Sequence, residues 1–178
     1  MGWLALLIWA GLARAGELAG VTMPDTATVG GQTVVLNGLG LREKFYVDVY
    51  VGGLYLPTKT HDPTRVIEDE VPKRVRMQFI LDEVPRDKVA ESFYEGLAKY
   101  PQYSHLKPQM DLVASWLVDF TVGDVVYFDY VPGVGTTVTI KGKKMGTIPG
   151  AEYARLVFNI YVGPNPANEA LKKGMLGL

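Results

Sequence analysis

Arg42 is the residue best placed to do chemistry. It closes the run Asn37-Gly-Leu-Gly-Leu-Arg42, two residues after one glycine and four after another. A guanidinium stays charged at any physiological pH, and its planar fork of donors fits a carboxylate or an enolate. Glycines just before it let the backbone approach a ligand closely. The functional reading is a ligand-binding arginine; the plain alternative is a surface arginine paired with Glu43 or another acid. Downstream, Tyr46, Asp48 and Tyr50 alternate with Phe45, Val47, Val49 and Val51. At the two-residue period of a strand, the polar-tipped set shares one face, which lines either a cleft or solvent. Tyr46, Asp48 and Tyr50 therefore join Arg42 as candidate ligand-binding residues, with Asp48 also a candidate general base.

Other chemistries are poorly served. The chain has no cysteine, which excludes disulfides, thiolate catalysis and cysteine metal sites. Its two histidines, His61 and His105, are not in metal-ligand spacing, so no metal site is expected. The Gly-x-Gly segments lack the dinucleotide spacing, and no phosphate loop, nucleophile elbow or carboxylate pair occurs. No cofactor is implied, and no catalytic residue is assigned. A net charge of −1 carries no footprint for nucleic acid. With 178 residues, 48% apolar and 21% charged, the chain suits one domain with a sizeable core.

The N-terminus reads as a signal peptide over residues 1–15. Leu4 to Leu12 is apolar apart from Gly11 and too short to span a bilayer, and Ala13-Arg14-Ala15 places small residues where a signal peptidase needs them. No Lys or Arg precedes the apolar run, a departure from the usual pattern. The rest, residues 16–178, is read as one exported domain with no transmembrane segment.

The elements that must position Arg42 follow from patterning. Thr26–Val29 and Thr33–Leu36 flank Gly30-Gly31 as a hairpin, and Asn37–Gly40 reads as a second turn. A long strand is expected over Phe45–Leu56, with Gly52-Gly53 a bulge or a point of close approach. Asp62-Pro63 starts a short helix. Arg74–Leu81 alternates, with Val75, Met77, Phe79 and Leu81 inward and Arg74, Arg76 and Gln78 on a solvated face. Two helices follow, Pro85–Tyr100 and Ser104–Phe120, with Ser104 as N-cap. Their apolar stripes are core, and the same residue types also wall an apolar pocket. Strands return at Asp124–Val131, Thr136–Ile140 and Lys143–Ile148. A helix over Pro149–Tyr161 and a shorter one after Pro164 complete the chain. This order implies an α+β fold, an antiparallel sheet covered by helices on one face.

The segments Asn37–Arg42, Lys44-Phe-Tyr-Val-Asp-Val-Tyr50 and Gly53-Leu-Tyr-Leu56 resemble the opening of the chalcone isomerase family, in its bacterial chalcone-isomerase-like branch. Gly123-Asp-Val-Val-Tyr-Phe-Asp-Tyr-Val-Pro-Gly133, Gly150 and Phe158-Asn-Ile-Tyr-Val-Gly163-Pro164 continue it in order, so it spans about Val21 to Leu176. The resemblance implies an open-faced β-sandwich. It also implies that Arg42 retains the family arginine, while most of the plant enzyme's other hydrogen-bonding groups are missing, with the Tyr50 hydroxyl a candidate substitute for one. The catalytic threonine falls at Tyr50, a tyrosine near Pro85, an asparagine near Ser92, and a late serine or threonine near Ala154.

The expectation is a non-catalytic, exported binder of a small hydrophobic carboxylate such as a fatty acid, in the periplasm or elsewhere in the cell envelope. An isomerase (intramolecular lyase) of the chalcone isomerase type is the alternative, and an envelope protein acting through partner contacts is the third reading. The oligomeric state is left open. N-terminal sequencing of protein recovered from envelope fractions should begin at Gly16; recovery of chains that retain Met1 there would replace the cleaved leader by an anchor.

Overall fold

A computed structural model describes residues 16–178, so the leader segment, Leu4–Leu12 with its Ala13-Arg14-Ala15 site, lies outside the described residues. The core of the fold is a seven-stranded sheet: β3 (Thr26–Val29), β4 (Gln32–Lys44), β5 (Val47–Leu56), β6 (Lys73–Phe79), β7 (Val125–Val131), β8 (Gly135–Ile140) and β9 (Lys143–Pro149). The strands lie in sequence order and every neighbouring pair is antiparallel. A small hairpin, β1 (Gly16–Leu18) with β2 (Val21–Met23), stands outside this sheet. The helices are α1 (Pro63–Glu68), α2 (Arg86–Ala98), α3 (Lys107–Trp116), α4 (Glu152–Val162) and α5 (Glu169–Met175). The α+β class is as expected, and none of these helices is long and apolar enough to cross a membrane.

Alternation splits the buried residues into two layers. Leu54, Leu56, Val75, Met77 and Phe79 face the helices in the main core, against Phe93, Leu97, Ile160 and Tyr161 among others. Val51 and Tyr55 face the other way, with Val34, Leu36, Val21 and Met23, in a smaller cluster closed by the β1–β2 hairpin. The Arg74 face is therefore not simply solvated. Arg74 is ion-paired with Asp129 at 2.5 Å and its guanidinium lies 4.1 Å from the centre of the Tyr127 ring.

The Gly30-Gly31 turn forms as expected, both residues taking left-handed φ values of 56° and 77°. Four other expectations are corrected. First, Asn37–Gly40 is not a turn but the middle of β4. Its glycines serve contact instead: a Cβ on Gly38 would lie 2.2 Å from the Gly174 carbonyl oxygen, and one on Gly40 would lie 2.1 Å from that of Leu171. α5 thus lies backbone to backbone on β4. A one-residue bulge leaves Asn37 without a partner on β5 and turns its amide onto the Met175 carbonyl at 2.8 Å and the Thr60 carbonyl at 3.0 Å.

Second, the strand expected from Phe45 starts at Val47, because Phe45 and Tyr46 are the two turn residues between β4 and β5. Third, Ser104 is not an N-cap: Pro101–Leu106 is a 3₁₀ turn, and α3 starts at Lys107 with a proline in its first two positions. α3 stops at Trp116 because the following segment returns to the sheet side, where Phe120 bridges Val84. Fourth, β9 runs through Pro149, Gly150 takes a φ of 82°, and α4 begins only at Glu152.

Gly40→Ala should therefore act as an overpacking change, with a loss of about 1–3 kcal/mol or more in urea unfolding. Gly31→Ala, where a Cβ meets nothing within 4 Å, carries only the cost of its left-handed backbone, about 1 kcal/mol. Equal losses at the two positions would show that α5 does not depend on the contact with β4.

Candidate functional site

Between strands β4–β6 and helices α2 and α4 lies a cavity of about 400 Å³. Its walls are mostly apolar: Val47, Val49, Met77, Phe79, Phe93 and Ile160 all line it. Sheet and helix contribute by their own periods. Met77 and Phe79 share a face of β6 two residues apart, and Val89 and Phe93 share a face of α2 four residues apart. Charged residues at the edge, Lys44, Lys88, Glu91 and Glu95, mark the mouth; Lys44 pairs with Glu95 at 3.1 Å and Lys88 with Glu91 at 2.9 Å.

Arg42 lines this cavity and is only 9% exposed. The expected alternative, a surface pair with the Glu43 carboxylate, is not formed. Arg42 Nη1 instead donates to the Ala167 carbonyl at 2.8 Å and to the Glu43 backbone carbonyl at 3.3 Å. Among the described residues no carboxylate pairs with it. Two carbonyls thus fix the orientation of the guanidinium without neutralising its charge. A buried cation of this kind favours an anion supplied from outside.

Tyr50 stands across from Arg42 in the β4–β5 ladder and also lines the cavity. Burial pushes its phenol up to about 12, opposed by the charge of Arg42 and by the Tyr161 hydroxyl. Tyr161, on α4, is raised further still by burial and by Tyr50, and its hydroxyl lies 3.0 Å from Met77 Sδ. Both phenols therefore stay neutral well above pH 7 and act as hydrogen-bond donors, not as bases.

Asp48 and Tyr46 stand elsewhere. The ladder pairs Arg42 with Tyr50 but Glu43 with Asp48, so Val49 is an extra residue. That bulge breaks the two-residue period: Asp48 turns to the face opposite Tyr50, while Val47 and Val49 both reach the cavity. Tyr46, at the tip of the hairpin, is 97% exposed and does not line the cavity. Arg42 and Tyr50 are thus brought together; Tyr46 and Asp48 are not brought to them.

Patterning alone did not single out Tyr161, which reads as one more apolar-stripe residue of the last long helix. Nor did it identify the Ala167 carbonyl, whose role is purely backbone. Of the other positions that the resemblance pointed to, Pro85 and Ser92 line the cavity, while Ala154 is buried and does not line it.

The chalcone isomerase-like family model matches residues 15–177. Among solved structures, a fatty-acid binding protein of Arabidopsis thaliana superposes with a TM-score of 0.71 at 17% identity, over 92% of this chain and 96% of that one. At that identity the likeness concerns the fold. No curated protein matches the chain in sequence.

Proposed function

This chain belongs to the chalcone isomerase-like family, and on that footing we propose that it is a non-catalytic binder of a small hydrophobic carboxylate, with fatty acids as the ligand class. One observation carries the reading: a buried arginine, without an acidic partner among the described residues, in the wall of an apolar cavity. The carboxylate would meet the free donors of Arg42 and the Tyr50 hydroxyl, and the acyl chain would lie along Met77, Phe79, Phe93 and Ile160 towards the mouth. The Arabidopsis protein of the same fold, described as fatty-acid binding, supports the ligand class.

Magnitudes divide the labour. A methylene occupies about the same 30 Å³ as a molecule of liquid water, so a cavity of 400 Å³ holds roughly a dozen carbons. At about 0.8 kcal/mol per buried methylene, the gross gain is on the order of 10 kcal/mol, much of it consumed by lost freedom. A charge-assisted pair adds roughly 1.5–3 kcal/mol. The chain supplies most of the affinity, and Arg42 sets orientation and selects acids over alcohols.

We also propose that the protein is exported to a bacterial cell envelope, its leader removed before Gly16. Gly16 opens β1, so cleavage there would leave every described element intact.

A second reading, an intramolecular lyase of the chalcone isomerase type, draws on the convergence of Arg42, Tyr50 and Tyr161 on one cavity. Such a reaction needs a polarised enone oxygen and a positioned phenolate. Pro85 offers no donor, and no side chain of this cavity supplies the base: its phenols are raised, and its glutamates sit at the solvated mouth. A purely partner-contact protein has no need of the cavity at all.

The test is a fluorescent fatty-acid titration on wild type, Arg42→Ala, Arg42→Lys and Arg76→Ala, with melting followed in parallel. Arg42→Ala should bind at least about tenfold more weakly, a change of roughly 1.4 kcal/mol. Arg42→Lys should recover only part, for lack of the planar fork. Arg76→Ala, on the opposite face of the sheet, should bind as wild type. Affinity should be flat from about pH 6 to 9, since Tyr50 stays neutral there, and should fall below about pH 5 as the ligand carboxylate takes up its proton. Equal affinity of wild type and Arg42→Ala would remove Arg42 as the anchor. Separately, incubation with chalcones should yield no excess of either flavanone enantiomer over the spontaneous reaction; a clear chiral excess would restore the lyase.

A further inference from the structure

The β4–β5 hairpin ends in two aromatic residues that the fold neither buries nor accommodates easily. Phe45 is 86% exposed and Tyr46 is 97% exposed, with Val47 beside them at 43%. Both take left-handed backbone conformations, φ 52° and 63°, in a two-residue turn. That turn favours Asn-Gly, because bulky side chains are strained at positive φ. The sequence thus holds two large apolar rings in water at positions where small polar residues would fit better. The tip is also continuous with the cavity: Lys44, Phe45 and Val47 line its mouth.

We propose that this aromatic tip docks the protein on a zwitterionic phospholipid surface, placing the mouth of the cavity at the headgroups so that an acyl chain passes between membrane and cavity without crossing water. The proposal rests on reading the cavity as a fatty-acid site. Area argues for lipid over a protein partner. Two aromatic side chains bury about 150–250 Å² each, well short of the ~800 Å² per partner of a standard protein interface. A bilayer demands no such area and no matching shape, and an amphipathic ring such as that of tyrosine settles at headgroup depth. Charge argues for neutral lipid over anionic lipid. Around the tip Lys44 is balanced by Glu95, and Glu43 and Asp48 flank it without a basic cluster.

The experiment uses ligand-free protein over residues 16–178 and sucrose-loaded vesicles of phosphatidylcholine. Wild type should sediment with the vesicles, equally at low and high salt. Tyr46→Gly, which leaves the cavity lining untouched and relieves a left-handed residue, should melt higher than wild type yet bind vesicles at least fivefold more weakly. Phe45→Asn should lose vesicle binding in the same way. Fatty-acid affinity of Tyr46→Gly in vesicle-free solution should match wild type, while transfer of a fluorescent fatty acid from vesicles should slow at least fivefold. Absence of wild-type sedimentation, or equal sedimentation of all three proteins, overturns the docking proposal. Self-association of wild type that Tyr46→Gly abolishes overturns it too, by making a second copy the occupant. A cavity that binds no fatty acid in solution overturns the ligand reading while leaving the vesicle result to stand or fall by itself.

Discussion

The structure hangs on the direct backbone contact between β4 and α5. Gly38 and Gly40 on the strand and Gly174 on the helix leave no side chain between them; a Cβ on Gly174 would lie 2.2 Å from the Leu39 carbonyl oxygen. Dispersion and close packing reward such an approach only if no side chain intrudes. Asn37 then fastens the arrangement by bridging the Thr60 loop and the last turn of α5, accepting from the Thr60 amide at 2.8 Å as well as donating to both carbonyls. Once α5 is fixed, the segment leading into it is fixed as well. That segment carries the Ala167 carbonyl to within 2.8 Å of Arg42. A helix that contributes no side chain to the cavity therefore helps to determine how the candidate ligand-binding guanidinium points.

The same economy governs the electrostatics of the cavity. Its interior holds one cation and two phenols that burial keeps neutral. Carbonyl oxygens orient the cation without discharging it, and acidic groups stay at the mouth, where solvent and Lys44 and Lys88 answer them. Low polarity strengthens whatever a carboxylate would gain there and equally raises the cost of leaving Arg42 unanswered. The arrangement suits recognition of an acid head on an apolar body. Its two phenols, held neutral by burial, serve there as hydrogen-bond donors.

Much of this was legible in the chain. Two-residue alternation located β6, helical spacing located α2 and the body of α3, and Gly30-Gly31 located the β3–β4 hairpin, because each depends on neighbours within a few residues. Arg42 and Tyr50 were singled out from the same short stretch, and the structure brings them to one cavity.

What the sequence could not decide were the departures from regular periods, which only long-range packing sets. Asn37–Gly40 looks like a turn because glycine-rich runs usually are; it is a strand because α5, more than a hundred residues later, needs its bare backbone. Tyr46, Asp48 and Tyr50 look like one face. They part because a bulge at Val49 adds a residue to β5, and because a turn rather than a strand begins at Phe45. Tyr161 reads as core until it is found lining the cavity with its hydroxyl 3.0 Å from Met77 Sδ. Local propensity fixes which elements form, whereas a bulge, a backbone contact or a shared cavity is settled by the balance of surfaces between elements distant in the chain. That balance has no local signature in the order of the residues.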